Sequence, residues 1–531
     1  MNPRKLLDWR KLLIYSHRWL GIALGVVFVS WFVSGILFVY WGESHITAQE
    51  RLARMGPLDL STARVNPGEA ARRAGISTPS RLRVAMLEGR PVYRFQNGKQ
   101  WIAVYADSGE RVEAVTAPKA VDLLRHFVPD HASTIHYDTY LPDSDQWTLE
   151  SAVRDLMPLH RISLGDTAGT QYYISEATGD LVMRTDRSTR VKGYLSAVLH
   201  WIYFTPLRRH GPFWSQFVIW ISLIGCVMCV GGIALGTWRY SMSGRFRLKG
   251  SPSHSPYNGM MKWHHYAGLL FGVFTFTWAL SGALSLTPFS FLRGTPAAQA
   301  EREAVSGGRV RLDPVTVEKL RAVAAEVSDS FVPRELDFLQ FRGEPFFIAY
   351  QPPSLAEAAH TSHTHTSLGD FASLQLNREH VIVSGAHPER GCFKRFSDER
   401  MYEVARTAMP GVPIQDMEWL NNYDAYYYNQ NGSRALPVLR VRFNDPQRTW
   451  LYLNPQHGQM IRMQRMNRLN RWLYKGLHDL DFPFLYYSRP LWDIVIVGLS
   501  VGGLVLSITT LLPAYRRLRR HFKHLAGLTF R

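Results

Sequence analysis

Cysteine is nearly absent from this 531-residue chain: Cys226, Cys229 and Cys392 are all there are, too few for a disulfide framework. Cys226 and Cys229 lie inside an apolar run, where the C-x-x-C spacing reads as two small packing residues and not as a redox motif. Acidic residues are also scarce, 43 against 61 Lys and Arg, for a net charge of +18. Charge of either sign is missing from four stretches, Leu20 to Val39, Phe213 to Trp238, Tyr266 to Phe291 and Ile494 to Leu512. Each is long enough to cross about 30 Å of hydrocarbon as a helix. They hold nothing ionisable at mid-depth, which argues against a transporter with a polar path through the membrane. The first run is too long for the apolar core of a cleaved signal and no small-x-small site follows it, so it is expected to be a retained anchor.

The charge that is present sits beside these runs. The flank MNPRKLLDWRKLL, the loop RYSMSGRFRLKG…MMK and the tail AYRRLRRHFKHLAGLTFR are basic, with Asp8 their only acid. The positive-inside rule makes all three cytoplasmic and predicts four membrane-embedded helices with both chain ends inside. Much of the net charge is thereby explained without nucleic acid, which would need a basic groove in a folded domain. The expected order is a cytoplasmic N-terminus (1–13), spans at 14–42, 212–238, 263–291 and 491–513, a cytoplasmic loop (239–262) and tail (514–531), and two large external regions, 43–211 and 292–490. In those regions RLRVAMLEGRPVYRFQNGKQWIAVYADSGERVEAV, TQYYISEATGDLVMR and ALPVLRVRFNDPQRTWLYLNPQHGQMIRM alternate apolar and polar residues around glycine turns, as strands do. PGEAARRAG and DPVTVEKLRAVAAEV read as helices, so each region is predicted to be α+β. The fold class expected is a membrane protein, an α-helical bundle of four transmembrane helices with two α+β regions outside the bilayer.

The chain also repeats itself. His17, Gly21, Gly25, Trp31, Ser34 and Gly35 fall without a gap on His264, Gly268, Gly272, Trp278, Ser281 and Gly282. Leu199, His200, Pro212 and Trp214 fall in the same way on Leu477, His478, Pro490 and Trp492. Two tandem copies of a helix–domain–helix unit are therefore expected, related by an axis along the membrane normal. At about 100° per residue, His17, Gly21, Gly25 and Gly35 share one stripe, and His264, Gly268 and Gly272 head its copy. One use for such glycines is close helix packing. Another is a haem: an imidazole supplies the axial nitrogen, and the missing side chains let a flat macrocycle lie on the backbone.

Placement then selects the pairs. His17 and His264 begin the first and third helices, whereas His200 and His478 precede the second and fourth, and a rise of 1.5 Å per residue puts more than ~20 Å between the two levels. The expected pairs are His17 with His264 or its neighbour His265, and His200 with His478. Two bis-histidine haems, one near each face, would form an electron path across the bilayer. Trp31 and Trp278 fit either packing on the outer macrocycle or interfacial anchoring, and Arg18, Lys262, Arg208, Arg209 and Arg489 are placed to meet haem propionates. The insert AEAAHTSHTHTSLGD offers His360, His363 and His365 as a metal-binding tract or a plain surface loop. The run WLNNYDAYYYNQNGSR reads as a ligand-facing loop or as ordinary packing.

HRWLGIALG…SGIL, its repeat HHYAGLLFG…SGAL, the Leu-His before each return helix and the TGD and HGQ turns together resemble the PepSY-associated transmembrane proteins, some of which are ferric-siderophore reductases of iron uptake. The resemblance covers nearly the whole chain, although the histidine-bearing insert has no counterpart in the pattern. It implies a bacterial inner-membrane location with PepSY-type domains in the periplasm, two b-type haems on His17, His200, His264 or His265, and His478, and reduction of an Fe(III) chelate. About 20 residues follow the last span, without a dinucleotide fingerprint, so electrons are expected from a separate cytoplasmic reductase or from quinol. A different class of function, a haem-free binding or regulatory module anchored by four helices, predicts a colourless protein.

Overall fold

The computed structural model describes residues 9–41, 46–248, 250–354, 357, 379–429 and 434–529. Two compact units emerge: residues 1–41, 194–294 and 466–531 form one, and residues 42–193 and 295–465 the other.

The first unit is built on four long helices, α1 (Trp9–Tyr40), α2 (Gly211–Arg239), α3 (Met260–Ser285) and α4 (Leu491–Thr529). All four are long and apolar enough to cross a membrane. α1 and α3 each pack against both α2 and α4. Leu24, Phe28 and Phe32 meet Cys226, Cys229 and Ala279 in the interior, while Val26, Trp220, Val227, Leu270 and Ile494 are exposed on the outside. Glycines receive the interior rings: a Cβ on Gly225 would stand 2.9 Å from Phe28, and one on Gly502 or Gly503 would collide with Phe271 or Phe32. Helix ends depart from the hydrophobic limits. α3 stops at Ser285, short of 291, because Pro288 disfavours helix in the residue before it; Thr287 has φ 45°. α4 runs on through Pro513 to Thr529, since loss of hydrophobicity ends a lipid-facing stretch but not backbone hydrogen bonding.

Before α2 and before α4 the chain makes the same excursion. A π-helical turn, Tyr194–Val198 in one copy and Trp472–Gly476 in the other, leads to His200 or His478. Two residues further on, Ile202 and Leu480 take φ 55° and 49°, a left-handed geometry costly for a branched side chain. Trp214 Nε1 then donates to the Trp201 carbonyl at 3.0 Å, and Trp492 Nε1 to that of Asp479 at 2.9 Å. The repeat read from the sequence thus recurs in backbone detail.

The second unit holds three antiparallel sheets. Strands β1 (Arg81–Leu87), β2 (Arg90–Asn97) and β3 (Gln100–Tyr105) come from the first extramembrane region. So do β4 (His136–Leu141), β5 (Leu159–Ser163), β6 (Gln171–Ser175) and β7 (Leu181–Thr185). After the short β8 (Phe246–Leu248) and β9 (Ser251–Ser253) of the helical unit, the second region adds β10 (Leu336–Phe341), β11 (Glu344–Tyr350) and β12 (His380–Ser384). It ends with β13 (Ile414–Leu420), β14 (Val438–Phe443), β15 (Trp450–Asn454) and β16 (Gln459–Met463). The sheet orders are β12-β11-β10-β1-β2-β3, β4-β5-β6-β7 and β13-β14-β15-β16. The two extramembrane regions therefore share one six-stranded sheet, joined where Arg83 and Val84 of β1 face Asp337 and Leu336 of β10. Helix Val317–Ser328 covers this sheet with Val317, Leu320, Val323 and Val327, its first turn capped by Thr316, a spacing that keeps the apolar residues on one face.

Candidate functional site

The histidines of the repeat meet in two places. The His17 and His264 rings, from α1 and α3, have centroids 6.2 Å apart. Those of His200 and His478 are 6.0 Å apart. An ion about 2 Å from one nitrogen of each ring, with ~1.2 Å more to each ring centre, would set collinear centroids about 6.4 Å apart. Both pairs lie a few tenths of an ångström inside that spacing. Ser34 and Ser281, which touch His200 and His478, lie 17 residues beyond His17 and His264, so about 25 Å of helix separates the two levels.

Hydrogen bonding fixes which nitrogen of each ring is available. His17 Nδ1 lies 2.9 Å from the Met228 carbonyl on α2, and His264 Nδ1 lies 3.3 Å from the Leu506 carbonyl on α4. A carbonyl only accepts, so Nδ1 carries the proton and Nε2 the lone pair. His200 Nδ1 meets Ser34 Oγ at 3.3 Å and His478 Nδ1 meets Ser281 Oγ at 3.0 Å. Each serine spends its own proton on a backbone carbonyl, Ser34 on that of Ser30 at 2.6 Å and Ser281 on that of Trp278 at 3.1 Å. The hydroxyl is then free to accept from Nδ1, and the main-chain carbonyls of Trp31 and Trp278 also face the His200 and His478 rings. With the proton on Nδ1 each ring keeps its lone pair on Nε2, and each has the kind of hydrogen-bond partner that metal-ligating histidines ordinarily have.

Missing side chains make room for the rings. A Cβ on Gly232 of α2 would stand 2.6 Å from His17 Cε1, one on Gly35 3.2 Å from His200 Cε1, and one on Gly282 3.8 Å from His478 Cε1. The other glycines of the two stripes have different neighbours. Gly25 faces Thr510 and Leu511 of α4, Gly272 faces Ile233 of α2, Gly268 meets Leu506, and Gly21 opens onto free space. Gly25 and Gly272 thus serve the close packing of helices.

His265 and His264 are clearly separated. His265 is buried, with Nδ1 2.7 Å from Ser255 Oγ and Nε2 2.8 Å from the Gly236 carbonyl, so both nitrogens are engaged. His264 is the neighbour that meets His17. Trp278 Nε1 donates to the His478 carbonyl at 2.8 Å, and Phe38 stacks on His200 at 5.8 Å. Of the cations placed near the ligands by sequence, Arg208 lies over Tyr203 and Trp214, Arg489 pairs with Asp493 and lies over Trp492, Arg18 lies over Tyr15 and Lys262 over Tyr266. Cys226 and Cys229 are free and buried. In the aromatic run, Tyr427 is buried, stacks on Tyr452 at 5.2 Å and donates to the Ala435 carbonyl at 2.7 Å, which is packing. His360, His363 and His365 lie outside the described residues.

Sequence reasoning gave no role to Ser34, Ser281 or Gly232. The two serines were visible as matched positions of the repeat, but nothing local to them says that a histidine 166 or 197 residues away will arrive. A haem iron fits the donors present: paired imidazoles with free Nε2 at the right spacing, and glycines where the rings need clearance. Among the described residues no cluster of three or more His, Cys, Asp or Glu forms an alternative metal site. No family model matches the chain, and no curated protein matches it.

Proposed function

We propose that this chain is a di-haem membrane protein that carries electrons from the cytoplasmic side to the periplasm and reduces an Fe(III) chelate such as a ferric siderophore, in the manner of the PepSY-associated reductases its sequence resembles. The observation that carries the reading is the duplication of one ligand geometry: two histidine pairs, Nδ1 bonded and Nε2 free, at two depths of one four-helix bundle. His17 and His264 would hold one haem, His200 and His478 the other. Each haem would supply a one-electron Fe(III)/Fe(II) couple.

The residues of the chain supply orientation and exclusion. Met228 and Leu506 carbonyls, Ser34 and Ser281 hydroxyls hold the four Nδ1 protons so that Nε2 keeps its lone pair. The bundle interior keeps water from the ligands, and the lipid-facing helices set the two sites at opposite depths. The substrate is an Fe(III) ion in hard oxygen ligands, which hold Fe(II) less well, so one added electron loosens the metal. The donor is a cytoplasmic reductase or quinol, and the location is a bacterial inner membrane with both termini inside, as the basic flanks imply.

The test is a visible spectrum of the detergent-purified protein, oxidised and dithionite-reduced, with haem counted as the pyridine haemochrome. Two b-type haems per chain are expected, falling to about one in each of His17→Ala, His264→Ala, His200→Ala and His478→Ala and staying at two in His265→Ala. Protein absorbance alone, from cells supplied with haem, would refute the reading and favour an anchored binding module.

A further inference from the structure

The excursion before α2 and the one before α4 share a backbone but not their side chains. As His200 corresponds to His478, so Gly193, Ala197, Trp201 and Tyr203 correspond to Arg471, Lys475, Asp479 and Asp481. In the first copy the positions around the histidine are filled by rings: Trp201 lies 4.9 Å from Phe38 and 5.1 Å from Tyr203, which lies 5.0 Å from Trp214. In the second copy the same positions hold ion pairs. Lys475 Nζ lies 3.0 Å from Asp479 Oδ2, while Arg471 reaches the Asp481 carboxylate at 3.2 Å and the Asp481 carbonyl at 2.7 Å.

Two of these charges stand beside the ligands. Asp479 follows His478 directly, its carbonyl accepts from Trp492 Nε1 at 2.9 Å, and its carboxylate acts electrostatically on the rings of both His200 and His478. Lys475, nearly one helical turn before His478, acts on that ring too. Burial works against the Lys475 charge, but Asp479 outweighs it and holds the ammonium protonated. The turn itself does not require the pair: in the first copy, without a charge at either position, Trp214 Nε1 makes the same indole-to-carbonyl bond at 3.0 Å and Ile202 takes the same left-handed geometry as Leu480. The potential of a bound iron follows the net charge around it. A bare carboxylate beside it favours the ferric state, and a bare ammonium the ferrous one.

Resting on the two-haem reading above, we infer that Lys475 is a positioning residue of the His200–His478 haem site: it binds the Asp479 carboxylate and offsets its field at the iron, which keeps that site reducible. Reduction from Fe(III) to Fe(II) places one more electron beside Asp479, and the paired ammonium lessens that repulsion. The tuning comes from the second copy alone, because Ala197 and Trp201 bring no charge to the matching positions of the first. The pair His17–His264, about 25 Å of helix away, lies beyond a Debye length of roughly 10 Å and is untouched by it.

The experiment is a reductive titration of the purified holoprotein, followed at the haem α band, for the parent, Lys475→Met, Asp479→Asn, the double variant and Lys475→Arg. Two waves are expected, and the one missing from His200→Ala belongs to the His200–His478 site. Lys475→Met leaves the carboxylate bare and should move that wave to lower potential; Asp479→Asn leaves the ammonium bare and should move the same wave to higher potential. The double variant should bring it back towards the parent position, and Lys475→Arg, which keeps the charge, should leave it there. A merely structural role gives no such reversal of sign. Shifts of the two single variants in one direction, movement of the other wave, or a double variant further from the parent than either single one would overturn the inference. If Lys475→Met sheds a haem, it must be the one held by His200 and His478, and Lys475→Arg must keep both; loss of the other haem, or loss in Lys475→Arg as well, overturns it equally. Haem counting on the parent separates this from the underlying reading: a parent without haem refutes the two-haem function itself, whereas two haems with the wrong shifts refute only the role of Lys475.

Discussion

Glu335 is a carboxylate with almost no water around it. Arg51, equally buried, grips it at 3.0 and 2.7 Å, and Arg83 lies 4.0 Å away. Burial alone would raise the Glu335 pKa, but Arg51 and Arg83 outweigh it and pull the group down to about 2. A depressed carboxylate stabilises the fold fully above its unfolded value, about 4.3, and that contribution disappears as pH falls through the folded value. His457 works from the other side. It is buried and stacked on His380 at 5.0 Å, and burial first, then His380, lowers it to about 3. The unfolded chain binds that proton below about 6.5, so stability declines from there towards pH 3. The extramembrane unit should thus lose stability in two stages on acidification, the first beginning near pH 6.5 and removed in His457→Phe, the second beginning near pH 4. Glu335→Gln should cost about 3–5 kcal/mol, as expected when a buried ion pair loses one partner; unfolding followed by tryptophan fluorescence measures both. An unchanged midpoint would mean that Arg51 is satisfied by Asp180, 3.9 Å away.

The strands and helices carry the repeat as matched devices. Asp145 accepts from Tyr173 at 2.9 Å and Arg161 at 3.3 Å, and Asp424 accepts from Tyr452 at 2.8 Å and Arg440 at 3.2 Å. The first triad braces β5 and β6, the second β14 and β15. Hydrogen bonds to a charged group are worth about 1.5–3 kcal/mol each, so Asp145→Asn and Asp424→Asn should each destabilise measurably. In separate sheets their effects should add in the double variant; strong non-additivity would mean the sheets are coupled. In the bundle, Gly503→Ala should cost about 1–3 kcal/mol by overpacking Phe32, and Phe32→Leu should recover part of it. Many of these elements could be read from alternation and glycine turns, as β1 to β3, β6, β7 and β14 to β16 show. β4 and β13 escaped because they are exposed edge strands, with few alternating apolar residues to betray them.

Across the whole chain, each histidine pair takes one ring from each copy, and the shared sheet takes three strands from each. At the join the copies are not equivalent in charge. Arg81 and Arg83 of the first copy face Glu335 and Asp337 of the second, with Arg81 3.3 Å from Asp337. Pairing β1 with a second β1 would put arginine against arginine, and β10 with β10 acid against acid, so the charges favour joining unlike copies. A chain split at Asn258 should therefore yield two halves that purify together and bind haem as a pair, while either half alone lacks the bis-histidine spectrum. Haem bound at full strength by one half would break the assignment of ligands.

Apolar length, the basic flanks and the gapless repeat are properties of contiguous residues, and so the four helices long and apolar enough to cross a membrane, the duplication and the short list of histidines were all legible without a structure. Contacts between residues 160 to 290 positions apart are not. Only the tertiary structure turned His264 and not His265 towards His17, brought Ser34 and Ser281 up to His200 and His478, and laid β1 beside β10. Each depends on which side chains approach once the helices pack and the sheet closes, and neither periodicity nor composition encodes that approach.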